Sequence, residues 1–103
     1  MNKKTSTDTI DLLYEAILTL KDKKECRDFF SDVCTVNELL SLSQRFEVAK
    51  MLRAKCTYQE ITEQTGASTA TISRVNRSLN YGNDGYRIVL ERLEDGNAMN
   101  LKK

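Results

Sequence analysis

A single glycine, Gly66, separates two stretches in which apolar residues recur at helical intervals. The apolar residues around it lie five residues before it, directly after it, and six and nine residues after it: Ile61, Ala67, Ile72 and Val75. Two short helices that pack at a steep angle through a glycine-containing turn need apolar contacts at these positions. The spacing therefore predicts a helix-turn-helix over residues 57–80. A plain helical hairpin, with Gly66 as a simple helix C-cap, is the alternative that this pattern leaves open.

The rest of the chain also has the features of helices rather than strands. It contains no proline and four glycines, and its valines and isoleucines do not alternate with polar residues as they would in strands. Two segments, TVNE from Thr35 and TYQE from Thr57, place a threonine three positions before a glutamate. In such a capping box the hydroxyl and the carboxylate satisfy exposed backbone N–H groups at a helix start. We therefore predict an all-α fold.

Six helices are predicted from the apolar spacing, the caps and the glycines. Their approximate bounds are Thr9–Leu20, Lys23–Phe30, Val36–Ala54, Tyr58–Thr65, a helix from Ser68 or Thr69 to Asn80, and Asp84–Glu94. Apolar residues cover more than one stripe of the first helix, which indicates burial against another chain. In the second helix we expect Cys26, Phe29 and Phe30 to face inward.

Acidic residues are distributed unevenly along this chain, whose net charge is +1. Residues 8–38 include eight acidic and four basic residues, whereas residues 64–83 include no acidic residue at all. Arg74 and Arg77 lie within this acid-free segment. Any attraction to a polyanion must therefore be local and must come from the second half of the chain.

The helix predicted after Gly66 presents a surface that suits the major groove of DNA. If Ile72, Val75 and Leu79 face the core, helical geometry turns the polar side of this helix outward. Small residues at its N-terminal end permit close approach, hydroxyls can meet phosphates or bases, and arginines can bind guanine or phosphate. The predicted DNA-binding residues are Ser68, Thr69, Ala70, Thr71, Ser73, Arg74, Arg77 and Ser78.

The composition argues against several other classes of function. The chain lacks histidine, and its three cysteines, Cys26, Cys34 and Cys56, are too few for a four-ligand zinc site. We find no glycine-rich phosphate loop and no nucleophile–base arrangement, so we predict no enzyme activity, no catalytic residue, no metal ligand and no cofactor. No apolar run approaches the roughly 20 residues of a membrane span. Because the N-terminus also lacks the features of a secretion signal, we expect a cytoplasmic protein with no membrane partner.

The residues around the predicted helix-turn-helix resemble a known family. The segment LSQRFEVAKMLRAKCTYQEITEQTGASTATISRVNRSLNYG is similar to the Trp repressor superfamily, and within it to the YerC/YecD-type branch of Trp-repressor-related proteins. Its most specific part is TGASTATISRVNRSLNYG, and the resemblance extends more loosely from Leu12 to Leu93. It implies a six-helix chain in an intertwined homodimer, with a helix-turn-helix at each end. It also implies a transcriptional regulator, expected to be a repressor, whose partner is a palindromic operator in double-stranded DNA.

The resemblance implies a layout for the chain as well. Residues 1–103 are expected to form a single domain, in which helices at about 9–54 form a dimerisation core. The helix-turn-helix of residues 57–80 follows. A second dimerisation helix at 84–94 and a flexible tail at 95–103 complete this layout.

A candidate effector pocket follows from the same resemblance. In the Trp repressor, tryptophan lies between the central helix and the helix that enters DNA. Arg45 and Arg74 match arginines that contact this ligand, and Thr35 and Thr71 match threonines of its pocket. Val75 stands where the repressor has glycine, and its stiff β-branched side chain would intrude on a pocket shaped for a flat ring. We therefore expect that any small-molecule effector of this pocket is a compound other than L-tryptophan.

A second function, from another class, also fits part of the sequence. A helical interaction module could keep this shape without reading DNA, and the near-neutral net charge favours it. The acid-free segment favours a DNA-binding protein instead. Salt-dependent DNA binding distinguishes the two, because only a DNA reader releases counterions from the duplex.

Overall fold

Six helices make up the chain in a computed structural model, which describes the backbone of residues 5–101 and the side chains of residues 5–96. The helices are α1 (Ser6–Ile17), α2 (Lys23–Val33), α3 (Val36–Arg53), α4 (Tyr58–Thr65), α5 (Thr69–Tyr81) and α6 (Gly85–Leu101). Residues 5–101 contain no strand, so the prediction of an all-α fold is confirmed. Contacts divide the chain into one unit that ends at Leu39 and a second that begins at Leu40.

In the first unit, α1 lies three residues earlier in the sequence than predicted. It begins at Ser6 because the hydroxyl of Thr5 accepts a hydrogen bond from the backbone N–H of Asp8 at 3.1 Å. It ends at Ile17, and the hydroxyl of Thr19 then donates to the carbonyl of Ala16 at 2.6 Å. The backbone N–H of Thr19 bonds to the same carbonyl, so the chain forms a tight turn here and the helix does not continue.

The helix α2 is longer than predicted, and fewer of its side chains are buried than the sequence predicted. Asp22 caps its start, and it continues past Phe30 to Val33. Phe29 and Phe30 are partly buried and meet edge to face, with ring centroids 5.4 Å apart. The prediction that Cys26 faces inward is wrong, because this residue is exposed. Neither α1 nor α2 contains a fully buried residue, so the apolar sides of both helices stay at least partly exposed.

The second unit holds the hydrophobic core, to which α3, α4, α5 and α6 all contribute. Phe46, Leu52, Cys56 and Tyr86 are partly buried against it. The buried residues are Val48, Ala49, Met51, Ile61, Ala67, Ile72, Val75 and Leu90. The four apolar residues that the sequence placed around Gly66 are all among them, each with at most 1% of its surface exposed.

The helix α3 ends in a left-handed turn that directs the chain toward α4. Lys55 has a φ of 67°, and its backbone N–H donates to the carbonyl of Leu52 at 3.0 Å. The N–H of Cys56 donates to the carbonyl of Met51 at 3.0 Å, which completes a Schellman motif. The next residue, Thr57, then caps α4, so only three residues separate the last turn of α3 from the cap of α4.

Between α4 and α5 the turn has the predicted form. Gly66 adopts a left-handed conformation with a φ of 73°, and its N–H donates to the carbonyl of Thr62. Ser68 caps α5 by accepting a hydrogen bond from the backbone N–H of Thr71 at 3.1 Å. A left-handed backbone is the conformation that glycine adopts with least strain, so the position of Gly66 follows from the geometry of the turn.

The last helix, α6, is longer than the helix predicted for residues 84–94. It begins at Gly85 and continues through Gly96 to Leu101. A glycine inside a helix lowers its stability by about 1 kcal/mol relative to alanine but does not end it. Lys102 and Lys103, which belong to the predicted flexible tail, lie outside the described residues.

The two glycines give a matched test of the turn. We expect Gly66→Ala to lower the free energy of unfolding by about 1–2 kcal/mol, because an L residue is strained in a left-handed conformation. No atom lies within 4 Å of a Cβ placed at Gly66, so this cost comes from the backbone alone. Gly96→Ala, equally unobstructed but inside a helix, should raise the free energy of unfolding by up to about 1 kcal/mol. Denaturant unfolding of both variants measures this, and shifts of the same sign would contradict it.

Candidate nucleic-acid interface

The helix α5 has one side in the core and the opposite side in solvent. Ile72 and Val75 are buried, and Leu79 is partly buried on the same side. Four-residue and three-residue steps join these positions, so they form one stripe along the helix. We define the recognition surface as the cap of α5 and seven residues on its polar side: Ser68, Thr69, Ala70, Thr71, Ser73, Arg74, Arg77 and Ser78. Seven of these eight residues are exposed, and Thr71 is partly buried.

Two hydroxyl groups of the recognition surface also stabilise the start of α5. The hydroxyl of Ser68 accepts from the backbone N–H of Thr71 and donates to the hydroxyl of Thr71 at 3.1 Å. Thr71 Oγ1 thus acts as an acceptor, which leaves its own O–H available as a donor. The hydroxyls of Ser68 and Thr71 are therefore tied to each other at the N-terminal end of α5.

The arginines of the recognition surface differ from two of the arginines elsewhere in the second unit, which are paired with carboxylates. Arg53 is bound to Glu94 at 3.0 Å, and Arg87 is bound to Glu91 at 3.2 Å. Within the part of the chain that the structure describes, Arg74 and Arg77 pair with no carboxylate. The guanidinium groups on α5 therefore keep their hydrogen-bonding capacity for a partner outside the chain.

A brace between α3 and the end of α4 holds the turn in place. The side-chain amide of Gln44 donates to the carbonyl of Thr65 at 3.1 Å. The hydroxyl of Thr65 donates to the carbonyl of Ile61 at 2.8 Å and accepts from the backbone N–H of Ala67 at 3.1 Å. Sequence analysis did not identify Gln44 or Thr65, since their partners are backbone groups and Gln44 lies 21 residues away from Thr65.

The start of α4 is fixed by the predicted capping box. The backbone N–H of Glu60 donates to the hydroxyl of Thr57, and the backbone N–H of Thr57 donates to the carboxylate of Glu60 at 2.8 Å. The bond from the Thr57 backbone lowers the pKa of Glu60 below its usual value, because it stabilises the charged form. Glu38 makes the same contacts with Thr35 at the start of α3, and its pKa is lowered for the same reason.

Three of the five candidate effector residues come together in a pocket. Arg45, Thr71 and Arg74 line a cavity of about 250 Å³ between α3 and α5, and Ser41, Gln44 and Ala70 complete its wall. Val75 does not line this cavity, because it is buried in the core. Thr35 belongs to the first unit, where its hydroxyl caps α3.

Other kinds of site have little support in the described residues. Residues 5–96 contain no group of three or more His, Cys, Asp or Glu side chains that could hold a metal ion. The three cysteines are free thiols, with Cys26 exposed and both Cys34 and Cys56 partly buried. No helix in the described part of the chain is long and apolar enough to cross a bilayer.

The fold and this surface define a helix-turn-helix protein, in which α4 supports a second helix whose polar side is exposed. The Trp repressor protein family matches residues 8–94. The uncharacterized protein YerC of Bacillus subtilis (strain 168) is 58% identical over 86 residues, which cover 84% of this chain and 83% of YerC. This chain therefore belongs to the Trp repressor family and is a YerC-type member of it.

Solved structures agree with this assignment. A TrpR-like protein from Eubacterium eligens ATCC 27750 is 69% identical, has a TM-score of 0.83, and matches over 90% of this chain and 96% of its own. A second crystal structure, from Staphylococcus aureus, is 55% identical, has a TM-score of 0.81, and matches over 84% of this chain and 87% of its own. The predicted six-helix Trp-repressor-like fold is confirmed. The family consists of regulators rather than enzymes, and membership indicates a DNA-binding regulator.

Proposed function

We propose that this chain is a transcriptional regulator that binds double-stranded DNA by placing α5 in the major groove. The observation that carries this proposal is the recognition surface, which is exposed, free of acidic residues, and bears two arginines without a carboxylate partner in the described part of the chain. DNA presents a phosphate charge about every 1.7 Å along its axis, so an acidic side chain on this surface would be repelled.

The order of residues along α5 suits an approach with the N-terminal end first. Thr69 and Ala70 are small and exposed, which permits the backbone to come close to the base edges. Arg74 and Arg77 lie further along the helix, where a long side chain can reach guanine or a phosphate. Side chains as small as Ala70 and Ser73 make few direct base contacts, so part of the specificity would come from bridging water or DNA shape.

We further propose that the protein acts as a homodimer on a palindromic operator. In α1, Ile10, Leu12, Leu13 and Tyr14 are all exposed, and Leu18, directly after the helix, exposes 83% of its surface. Apolar surface of this extent, in a chain of 103 residues, is typical of an interface with another chain. The helices α1 and α2 would supply part of that interface.

The second unit offers further apolar surface to a partner. A groove of about 970 Å³ lies between α3, α5 and α6, and Phe46, Leu52, Leu79, Leu90 and Leu93 contribute its apolar wall. A symmetric dimer presents two copies of α5, so its DNA site should have matching half-sites. Repression then follows if the bound dimer occupies sequence that the transcription machinery needs, a role that family membership favours.

DNA binding is tested most simply with the Arg77→Ala variant. We expect it to lose about 1–3 kcal/mol of binding free energy for a preferred sequence if Arg77 contacts a base. If Arg77 contacts a phosphate, affinity should fall evenly across sequences, and the log–log salt slope should become shallower by about 0.9. Fluorescence anisotropy titrations on mixed-sequence and preferred duplexes, over a series of salt concentrations, measure both quantities.

Lys24→Ala is the matched control, since it removes one positive charge from an exposed pair with Asp28 outside the recognition surface. It should bind DNA like the wild type. Wild-type protein without any salt-dependent DNA binding would contradict the proposed function and would favour the helical interaction module. Equal losses in Arg77→Ala and Lys24→Ala would remove Arg77 from the interface.

We expect L-tryptophan to leave DNA affinity unchanged. The small cavity between α3 and α5 is lined by one apolar side chain, Ala70, so an indole ring would lack the apolar walls that such ligands need. Val75, which matches the glycine beside the ligand in the Trp repressor, is part of the packed core. Isothermal titration of tryptophan into the protein should show no heat of binding. Micromolar affinity, together with tighter DNA binding, would contradict this expectation.

A further inference from the structure

The cavity between α3 and α5 has an unusual lining for a pocket of its size. Its six residues are Ser41, Gln44, Arg45, Ala70, Thr71 and Arg74. Two of the six are arginines, three are hydroxyl or amide residues, and none is acidic. Small-molecule pockets are lined mainly by apolar and aromatic side chains with a few polar groups. A lining that is almost entirely donor-bearing indicates a compact oxyanion as the ligand.

Arg45 is the residue of this cavity that most needs an anion. It is partly buried, and within the described residues it forms no ion pair. Arg53, whose side chain is 31% exposed, is held by Glu91 and Glu94. Removing a cation from water has a free-energy cost that an anionic partner offsets. Arg45 has no such partner among the described residues, so the cavity that it lines is where one would bind.

The donors of the cavity can converge on a tetrahedral anion. A guanidinium group binds phosphate with two parallel N–H donors, and Arg45 and Arg74 reach the cavity from different helices. The hydroxyl of Thr71 accepts its bond from Ser68 and keeps its own hydrogen free to donate. The amide of Gln44 is bound to the carbonyl of Thr65, which fixes the α3 wall of the cavity relative to the end of α4.

The cavity is continuous with the recognition surface. Ala70, Thr71 and Arg74 line it and also belong to the predicted DNA-binding residues. An anion in the cavity would therefore lie at the edge of the surface that enters the groove. In a complex with DNA, the anion nearest to such an edge is a phosphate of the DNA backbone itself.

We infer that this cavity is a seat for one backbone phosphate of the bound DNA, and that Arg45 is a DNA-positioning residue outside the helix-turn-helix. The inference rests on the proposed function. A phosphate held between α3 and α5 sets the depth and register of α5 in the groove, because phosphate contacts position a protein on the duplex. DNA binding then needs no small-molecule effector, since the DNA supplies the anion.

The test compares Arg45→Ala and Arg45→Lys with wild-type protein on a mixed-sequence duplex over a series of salt concentrations. Arg45→Ala should bind about tenfold more weakly, as expected for loss of a charge-assisted hydrogen bond. Its log–log salt slope should be shallower than that of the wild type by about 0.9, the contribution of one phosphate. Arg45→Lys keeps the charge and should keep the slope. Thermal unfolding of both variants checks that they remain folded.

Single methylphosphonate substitutions, each of which removes the charge of one phosphate, identify which phosphate of the DNA occupies the cavity. The duplex for this experiment is one that the wild-type protein selects. One position should weaken wild-type binding and leave Arg45→Ala binding unchanged, because that variant has already lost the contact. An unchanged salt slope in Arg45→Ala, or the lack of any such position, overturns the inference while the proposed function stands. Wild-type protein that binds no duplex overturns the proposed function itself.

Inorganic phosphate distinguishes the DNA backbone from a free anion as the ligand. At constant ionic strength, replacing chloride with inorganic phosphate should leave the DNA affinity of the wild type unchanged. The phosphate in the cavity is then covalently part of the bound duplex, so a free phosphate ion does not replace it. DNA binding that requires added phosphate would mean that the seat takes a free anion, and it would overturn the assignment to the backbone.

Discussion

The burial of Ile61, Ala67, Ile72 and Val75 in one core, together with residues of α3 and α6, is the interaction on which the rest of this structure depends. Each of the large apolar side chains contributes about 1.5–3 kcal/mol when it leaves water. More important for function, Ile72 and Val75 set the rotation of α5 about its own axis. Because these two residues lie in the core, the opposite, polar side of α5 faces the solvent. The same contact therefore stabilises the fold and exposes the recognition surface.

Net charge conceals how the arginines of this protein are distributed. Over the whole chain acidic and basic residues nearly cancel, so the net charge by itself says nothing about a nucleic-acid partner. The structure separates the arginines into two groups. Arg53 and Arg87 are paired with carboxylates, whereas Arg45, Arg74 and Arg77 in or beside the recognition surface have no carboxylate partner among the described residues. Arg92 on α6 is also unpaired within this part of the chain, but it stands alone rather than in such a group. Local pairing, rather than total charge, determines where a polyanion can bind.

Local signals in the sequence were sufficient to predict the helix-turn-helix. A capping box at Thr57, the left-handed glycine at position 66 and the cap at Ser68 each act within four residues, so their consequences are visible without the fold. The exposure of the predicted recognition surface followed from the position of the two core residues on α5. The assignment of those residues to DNA contacts stays a prediction, as does the division of the chain into dimerisation and DNA-binding parts.

Contacts between distant segments were beyond prediction from sequence. The bond from Gln44 to Thr65 joins residues far apart in the chain, and the cavity beside Arg45 exists only once α3 and α5 are placed. The inward position predicted for Cys26 was wrong because a periodic apolar pattern shows which side of a helix needs cover, not whether the same chain supplies it. The length of α6 was underestimated because residues 95–103 were taken as a flexible tail, whereas the helix continues through Gly96, an interior glycine that only weakens a helix.

Selection of bound sequences from a random pool of DNA duplexes tests the central claim most directly, because it asks whether the exposed side of α5 reads DNA as part of a symmetric pair. The account predicts enrichment of a sequence with two-fold symmetry, whose half-sites lie about one turn of the double helix apart or a multiple of it. A pool that shows no enriched sequence after repeated rounds, with wild-type protein that is folded, would contradict it.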